Sequence, residues 1–242
     1  LDSTIYYDSS KVSNSNTLKS NITSTLTDYS KNIDINKFGG RFKYSKALQL
    51  IDRVDSAITS NITKVKIRRD MKVLLNQFAQ YELCFGNRFH INSEGFNIKS
   101  TGFKVSGSDE VVYLTDVPNK NDKGDLDGSH KGVLSAISRD KKNELRVIVK
   151  SIGTVDYKKG EILLNTINIT ETNAPNDILE IQAFPDSNDV IGLKDLYLSF
   201  DVSNTQINMV KDVIASGEDV SGVVFSRDYY TSSYSNGKLE RE

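Results

Sequence analysis

The stretch ELRVIVKSIGTVDYKKGEILLNTINI, residues 144–169, decides how the second half of the chain folds. From Leu145 to Lys150 the residues alternate in the way typical of a strand with two unlike faces. Lys158, Lys159 and Gly160 interrupt the second apolar run, and glycine readily adopts the positive φ that tight turns require. The pattern therefore predicts a β-hairpin that turns at Lys158–Gly160.

Weaker patterns follow this hairpin. Residues 178–184 form an apolar run between two prolines, and residues 195–202 alternate again, so both are predicted to be strands. Apolar residues at 207, 210, 213 and 214 recur at helical spacing and predict a short helix.

The chain before the hairpin begins with helical patterns. An apolar face at 18, 22, 26 and 29 predicts a first helix, and a stripe through 44, 48, 51, 54 and 58 predicts a second. Residues 62–73 then change to period two, which predicts one strand with a basic, wet face. The polar run 118–132 is long enough to be a loop or a hairpin tip that projects from the body.

These patterns predict an α+β fold in which N-terminal helices pack on mixed or antiparallel β-structure, as a multi-lobed, elongated fragment. We expect three parts: a linker and helical segment at 1–40, an α+β domain at 41–142 that carries the projecting loop 118–132, and a β-rich domain at 143–242 with a short helix and a Tyr-rich tail. Because the sequence begins with Leu1 rather than Met, a piece of a longer protein is also expected.

Composition excludes several classes of protein. Lys plus Arg (31) against Asp plus Glu (32) gives a net charge of −1, so no global field favours nucleic acid or an anionic membrane. No apolar run reaches the roughly 20 residues that a membrane span needs. The single cysteine, Cys84, cannot form an internal disulfide, and its apolar neighbours suggest a buried side chain.

A search for catalytic and metal sites finds no convincing arrangement. His90 and His130 lie far apart and, with the one Cys, cannot supply the four ligands of a zinc site. The segment 122–128 resembles a calcium loop, but aligning Gly128 with the invariant glycine puts Lys123 and Leu134 at ligand positions. No Trp is present to form a sugar platform, which lowers the case for a glycosidase. We therefore expect no enzyme activity and no cofactor.

Surfaces offer more than any site. The basic face of the 62–73 strand predicts either a contact with an acidic partner or charges that discourage unwanted strand pairing. A Tyr-rich terminus also suits large contacts, because Tyr combines apolar area with a hydrogen-bonding tip. The candidate assembly contacts are Lys64, Lys66, Arg68, Lys72, Tyr229, Tyr230 and Tyr234.

Five stretches carry a resemblance to a known family: FGGRFKYSK (38–46), LIDRVDSAITSNITKV (50–65), QFAQYELCFGNRFH (77–90), GTVDYKKGEI (153–162) and SRDYYTSSY (226–234). Together they resemble the baseplate J-like proteins. The closer resemblance is to the C-terminal portion of the baseplate wedge subunits that the sixth gene of T-even-type bacteriophages encodes.

The resemblance implies a structural, non-enzymatic subunit of a contractile-tail baseplate. Such subunits associate with themselves, as a homodimer within a larger ring, and with other baseplate wedge proteins. They build the inner ring that rearranges on sheath contraction. The implied location is the virion tail, assembled in the host cytoplasm, without nucleic acid or membrane as a partner.

Two other functions remain open at this point. One is a tail-associated receptor or glycan-binding module, for which Tyr229, Tyr230 and Tyr234 would form the aromatic platform. The other is a cell-wall hydrolase, which the lack of a catalytic arrangement disfavours.

Overall fold

The computed structural model describes residues 1–31, 35–139 and 144–215, together with a strand pair at 234–235 and 238–239. Its elements in chain order are β1 (Asp2–Tyr7), α1 (Ser15–Ser30), β2 (Lys37–Phe38), β3 (Arg41–Phe42), α2 (Tyr44–Asp52), β4 (Ile58–Lys64), β5 (Ile67–Lys72), β6 (Phe78–Cys84), β7 (Lys99–Ser100), β8 (Phe103–Val105), β9 (Tyr113–Pro118), β10 (Lys131–Arg139), β11 (Leu145–Asp156), β12 (Glu161–Thr172), β13 (Ile178–Ala183), β14 (Val190–Ile191), β15 (Tyr197–Leu198), β16 (Gln206–Lys211), β17 (Tyr234–Ser235) and β18 (Lys238–Leu239).

The predicted α+β fold is wrong, because the protein is mostly β. Strands account for 46% and helices for 13% of the structure, and α1 and α2 are the two α-helices of the described ranges. These helices pack beside the small sheet β16-β1-β4 rather than on an extensive sheet. Of the helical patterns, 207–214 proved to be a strand over much of its length, and 44–58 ends as a helix at residue 52.

The predicted second helix runs too far toward the C-terminus. α2 ends at Asp52, where the backbone amide of Arg53 bonds the carbonyls of Gln49 and Ile51. The Asp55 carboxylate then accepts the Ala57 amide at 2.8 Å and holds a turn, after which Ile58 begins β4. Residues 58–64 include β-branched side chains that suit a strand, and β4 pairs antiparallel with β1.

The predicted short helix at 207–214 is also wrong. Residues 206–211 form β16, which lies parallel to β1 with Ile207 opposite Ser3. The predicted strand at 195–202 shortens to Tyr197–Leu198, and the predicted strand at 62–73 divides between β4 and β5, which belong to different sheets. In each case pairing with a distant strand overrides the local pattern.

Other predictions are confirmed. α1 buries Leu18, Ile22, Leu26 and Tyr29 on one face, as the spacing requires. The 144–169 hairpin forms with Asp156 opposite Glu161, and Gly160 has φ +70°. A Cβ at Gly160 would lie 2.0 Å from the Asn87 carbonyl oxygen, so both conformation and space require glycine there.

The largest sheet has the order β6-β12-β11-β10-β9, with β8 added to β12. The predicted domain boundary at 142/143 falls in the connection between β10 and β11, which are neighbours in this sheet. The core beneath this sheet is built from residues within the range 71–183. Strands β5, β13 and β7 form a further sheet beside it. We call residues 67–189 the central unit.

A second region combines both ends of the described chain. β1 pairs with β4 and β16, β3 pairs with β14, and β2 pairs with β15. Two apolar clusters lie within this region, one around Ile5, Ile22 and Ile51, the other around Phe42 and Val190. We call residues 1–66 and 190–211 the split lobe, because the central unit is inserted between its two segments.

Candidate assembly surfaces

The four basic residues that the sequence singled out follow one another through β4 and β5. Lys64 ends β4, Lys66 lies in the connection, and Arg68 and Lys72 belong to β5. The three lysines are exposed and Arg68 is half-buried. The alternation predicted for this segment therefore survives the break between the two strands.

Most of these cations already have acidic partners within the chain. The Lys66 Nζ lies 3.3 Å from a carboxylate oxygen of Asp2 and 5.5 Å from the centre of the Phe184 ring. The Lys72 Nζ lies 3.5 Å from Asp177. Exposed ion pairs of this kind add little stability, but they reduce the net positive charge of the face.

Arg68 has the most acidic surroundings of the four. Its Nε lies 3.0 Å from Asp70, its Nη1 3.7 Å from Glu180 and its Nη2 3.4 Å from Asp201. Hydrogen bonds from Ser203, then from Asn204, and the Arg68 charge lower the pKa of Asp201 below its usual value. The Arg68–Asp201 pair joins the central unit to the split lobe.

This row of cations is therefore largely neutralised from within. Among the described residues, Lys64 has no ion pair or hydrogen bond through its side chain, so it is the cation of this row most available to a partner. The role of the row as an assembly contact stays a prediction. Tyr229 and Tyr230 lie outside the described residues, and the backbone of Tyr234 begins β17.

The predicted projecting loop is the tip of the β9–β10 hairpin, residues 119–130. Every residue from 120 to 130 is exposed. The tip nevertheless has internal order: the Asn121 amide donates to the Asp125 carbonyl at 2.8 Å, and the Asn121 side chain accepts the Lys123 and Asp125 amides. Ser129 donates to Asp127, which lowers the pKa of that carboxyl. We call this segment the hairpin tip.

The structure adds an apolar surface that the sequence did not suggest. Phe38 and Tyr197 lie opposite each other in β2 and β15, their rings stack edge to face at 5.4 Å, and they are 63% and 56% exposed. Ile191 (51%) pairs with Arg41 in β3, and the carbonyl of Leu193 (37%) accepts the amide of Gly39, the residue after Phe38. We call Phe38, Ile191, Leu193 and Tyr197 the aromatic patch.

Only the fold brings these four residues together. Gly39 follows Phe38 with φ +65°, and its amide bonds the carbonyls of Leu193 and Leu196. The Asn87 side chain brackets Ile191, accepting its amide at 3.0 Å and donating to its carbonyl at 2.9 Å. The Phe38-Gly39-Gly40 break was a visible signal of a turn, but nothing local showed that residues 190–198 would pair with it.

A cleft of about 460 Å³ opens beside the aromatic patch. Tyr197, Phe42 and Phe200 contribute apolar wall, and Arg68 and Asp201 contribute the opposite charged wall. The cleft thus lies between the split lobe and the β5 strand of the central unit. Within it, Arg68 is paired with Asp70 and Asp201, so the cleft resembles a contact groove more than a reaction site.

The buried polar pair of the central unit is structural in its geometry. Tyr157 donates its hydroxyl to Asp116 at 2.7 Å, and the other carboxylate oxygen of Asp116 accepts the Ile98 amide at 2.7 Å. Burial, then the Asp116 charge, raise the pKa of Tyr157 far above its usual value, so the hydroxyl remains a donor. Both side chains are almost fully buried, and they tie the 92–98 loop to the sheet.

The remaining candidate groups stay apart. His90 and His130 are both exposed, and Cys84 is half-buried rather than buried as the sequence suggested. Within the described ranges, no three His, Cys, Asp or Glu residues lie close enough to hold a metal ion. Neither described helix combines the length and apolar character that crossing a bilayer would require.

Comparison with known proteins finds a similarity in the first part of the chain. Residues 1–70 match the family model of the baseplate structural protein gp6, C-terminal domain III. None of the curated proteins matches the chain. The predicted resemblance to a baseplate wedge subunit is confirmed over residues 1–70, whereas membership of the baseplate J-like proteins stays a prediction.

The matched segment coincides with the longer part of the split lobe. It includes β1, α1, α2 and β4, and it ends within β5.

Proposed function

With residues 1–70 matching a baseplate structural domain, we propose that the protein is a structural subunit of a contractile-tail baseplate wedge. In this proposal it associates with itself and with other wedge proteins to build the inner ring that rearranges on sheath contraction. It performs no catalysis. The observation that carries the proposal is the match itself, which lies on a folded lobe with its own apolar clusters.

The surfaces of the molecule support an assembly role. The aromatic patch exposes two stacked rings, and aromatic residues are enriched where proteins meet. The hairpin tip is exposed but internally bonded, so little conformational freedom would be lost on contact. Both features suit a subunit whose work is to hold neighbours.

The predicted basic contacts belong to this proposal. Lys64, which has no described side-chain partner, would meet an acidic surface of a neighbour, whereas Lys66, Arg68 and Lys72 would have to exchange the internal partners they now have. An exchange of ion pairs is one way in which an interface can change between two assembled states. Tyr229, Tyr230 and Tyr234 stay proposed contacts on sequence grounds alone.

Solution mass measurements would test the proposal. Sedimentation of the purified chain over a range of concentrations, alone and mixed with a neighbouring wedge protein, should show self-association and a mixed complex. A chain that remains monomeric and binds no tail component would contradict it.

Single charge reversals in the basic row refine that test. Lys64→Glu should weaken the mixed complex without changing the thermal midpoint, because Lys64 contributes no internal ion pair. Lys66→Glu should also weaken assembly, but it should lower the thermal midpoint as well, because the new carboxylate would lie beside that of Asp2. Lys19→Glu on the exposed side of α1 is the matched control and should leave assembly unchanged. Equal behaviour of all three variants would remove the basic row from the interface.

A further inference from the structure

Two exposed surfaces of the chain carry opposite charge around an apolar centre. We propose that the hairpin tip of one copy docks on the aromatic patch of a second copy. This inference rests on the self-association proposed above and identifies the two surfaces that meet. It names a second copy as the occupant, since the chain itself carries both complementary partners.

The hairpin tip presents an apolar side chain among acids. Leu126 is 42% exposed and lies between Asp125 and Asp127, with Asp122 in the same turn. Lys123 is the one cation at the apex of the tip. Lys120 lies at its base, where its Nζ is 3.7 Å from a carboxylate oxygen of Glu94. The tip therefore offers a leucine surrounded by net negative charge.

The geometry of the tip is set before any contact. Lys120 and Leu126 form a β-bridge across it, and the Asp127 amide donates to the Asn119 carbonyl at 3.2 Å. Gly124 and Gly128 take the positive φ values of +86° and +75° that these turns need. A preformed loop loses less conformational entropy on binding than a mobile one.

The aromatic patch has two cations at its edge, beside one exposed acid, Asp195, which follows Lys194 in the chain. Arg41 lies directly opposite Ile191 in the β3–β14 pair, and Lys194 follows Leu193. Both cations are exposed, and in the described part of the chain neither side chain has an ion pair. A cation without an internal partner is free to meet an acid from another molecule at little cost.

Size and shape also agree. The cleft of about 460 Å³ beside Tyr197 is large enough to take a leucine side chain, and Phe42 and Phe200 line its apolar wall. Leu126 would anchor there or on the exposed Phe38 ring, while Asp122 and Asp125 would face Arg41 and Lys194. A buried apolar anchor with a charged rim is the usual anatomy of a specific contact.

The two surfaces belong to different regions, which leaves two symmetries for the contact. The hairpin tip is part of the central unit and the aromatic patch is part of the split lobe. In a two-fold dimer the contact is made twice, because each tip meets the patch of the other copy. If each pair of copies makes it once, the contact is heterologous and leaves one tip and one patch unused in every dimer. Repetition then produces a closed ring or an open chain, depending on the rotation between copies.

Charge reversal on each surface tests the proposal with the full chain. The tip variant is Asp122→Lys with Asp125→Lys, two side chains that make no hydrogen bond in the described structure, so the turn should persist. The patch variant is Arg41→Glu with Lys194→Glu. Leu74→Ser, at a leucine that is 51% exposed elsewhere, is the matched surface control for Leu126→Ser. Unchanged circular dichroism and thermal midpoints would show that each variant folds.

Sedimentation velocity up to about 100 µM would detect contacts of micromolar affinity. We expect the wild type to associate, and the tip variant, the patch variant and Leu126→Ser each to weaken association by about 10-fold or more, whereas Leu74→Ser does not. An equimolar mixture of tip and patch variants should recover association, because the two unchanged surfaces match each other and so do the two reversed ones. The chain that carries all four reversals should associate with itself again.

The outcomes separate this proposal from the one on which it rests. If the wild type associates and the tip and patch variants associate equally well, the docking proposal is wrong and self-association uses another surface. If both variants lose association but their mixture and the four-reversal chain do not recover it, the two surfaces do not meet each other and the proposal also fails. A wild type that stays monomeric contradicts self-association itself.

Discussion

The split lobe and the central unit reach a folded core by different routes. In the central unit, consecutive strands pair: β9 with β10, β10 with β11 and β11 with β12. In the split lobe, β1 lies between β4 and β16, which come from opposite ends of the described chain. The apolar clusters reflect this, since Ile51 from the first segment packs in the same cluster as Ile207 from the second.

Because the split lobe is built from two distant segments, the family match ends before the lobe is complete. The match covers residues 1–70, but three of the lobe's strand pairs require residues 190–211. A lobe interrupted by an insertion can be recognised by sequence in its longer segment while its completion lies elsewhere in the chain. The matched segment is therefore not expected to be an independent folding unit.

Shortening the chain should produce the largest effect. A chain that ends at residue 189 removes β14, β15 and β16 and exposes both clusters of the split lobe. We expect the lobe to lose its fold, at a cost above the roughly 2–5 kcal/mol of a single core truncation, while the central unit keeps its sheet. Hydrogen exchange measured segment by segment would show this.

A chain that ends at residue 215 is the control for that shortening, since it keeps β16 and both segments of the lobe. Protection of β1 and α1 in the chain ending at 189 would mean that residues 1–66 fold without their second segment. The first segment of the split lobe would then not depend on the second.

Paired core truncations would sharpen the comparison. Ile51 and Ile162 are both 0% exposed, one in the split lobe and one in the central unit. Each change to Ala should cost roughly 2–5 kcal/mol, because it leaves a cavity in a packed core. We expect Ile51→Ala to raise exchange in β1, α1 and β4, and Ile162→Ala to raise it in β10, β11 and β12.

The same variants can also show that the two regions fold together. If either truncation lowers protection equally in both regions, they unfold as one cooperative unit. An unchanged thermal midpoint for Ile51→Ala would contradict the packing of α2.

The buried hydroxyl of the central unit predicts a smaller effect. Tyr157→Phe leaves an oxygen of Asp116 without its donor inside the core, which should cost about 1–3 kcal/mol of unfolding free energy. Tyr113→Phe, at a tyrosine with no hydrogen bond in the described structure, is the control and should change stability little. Denaturant unfolding at neutral pH measures both, and equal midpoints would show that the Asp116–Tyr157 bond adds nothing.

Asp201, which accepts hydrogen bonds from Ser203 and Asn204 and pairs with Arg68 across the two regions, predicts the smallest effect, and one that depends on pH. The pKa of Asp201 is lowered in the folded state from an ordinary value of 3.8, so its ionised form stabilises the fold. That contribution is fully present above pH 3.8 and is lost as the pH falls through the lower folded value. Asp201→Asn should therefore destabilise by roughly 1 kcal/mol or less at neutral pH, since the group is largely solvated.

The measurement is thermal unfolding from pH 7 down to below pH 3.8. The difference between wild type and Asp201→Asn should stay constant at first and shrink only below pH 3.8. Asp70→Asn is the control, because it removes another carboxylate from Arg68 without changing the split lobe. It separates the loss of a charge near Arg68 from the loss of the Arg68–Asp201 ion pair. A difference that grows on acidification would reverse the sign expected from the lowered pKa.

Local sequence determined the elements whose cause is local. The 144–169 hairpin depends on alternation and on a glycine at the turn, and both are visible in the letters of the sequence. α1 needed only an apolar face at helical spacing, although it is rich in Thr and Ser. Thr23 and Thr27 satisfy their hydroxyls by donating to the carbonyls of Lys19 and Thr23, which lets these residues remain within the helix. The exposed hairpin tip was likewise predictable from its polarity.

Tertiary structure alone decided the rest, because it depends on contacts between distant parts of the chain. Residues 207–214 have helical spacing, yet 206–211 form a strand because β1 offers a free edge beside an apolar cluster. The basic row was visible, but the carboxylates of Asp2, Asp177 and Asp201 that neutralise it come from three separate segments. The aromatic patch could not be read from the sequence, since Phe38 and Tyr197 meet only when β2 pairs with β15. Periodicity is encoded locally and can be read; the choice of a distant partner is a difference between competing packings, and only the folded chain resolves it.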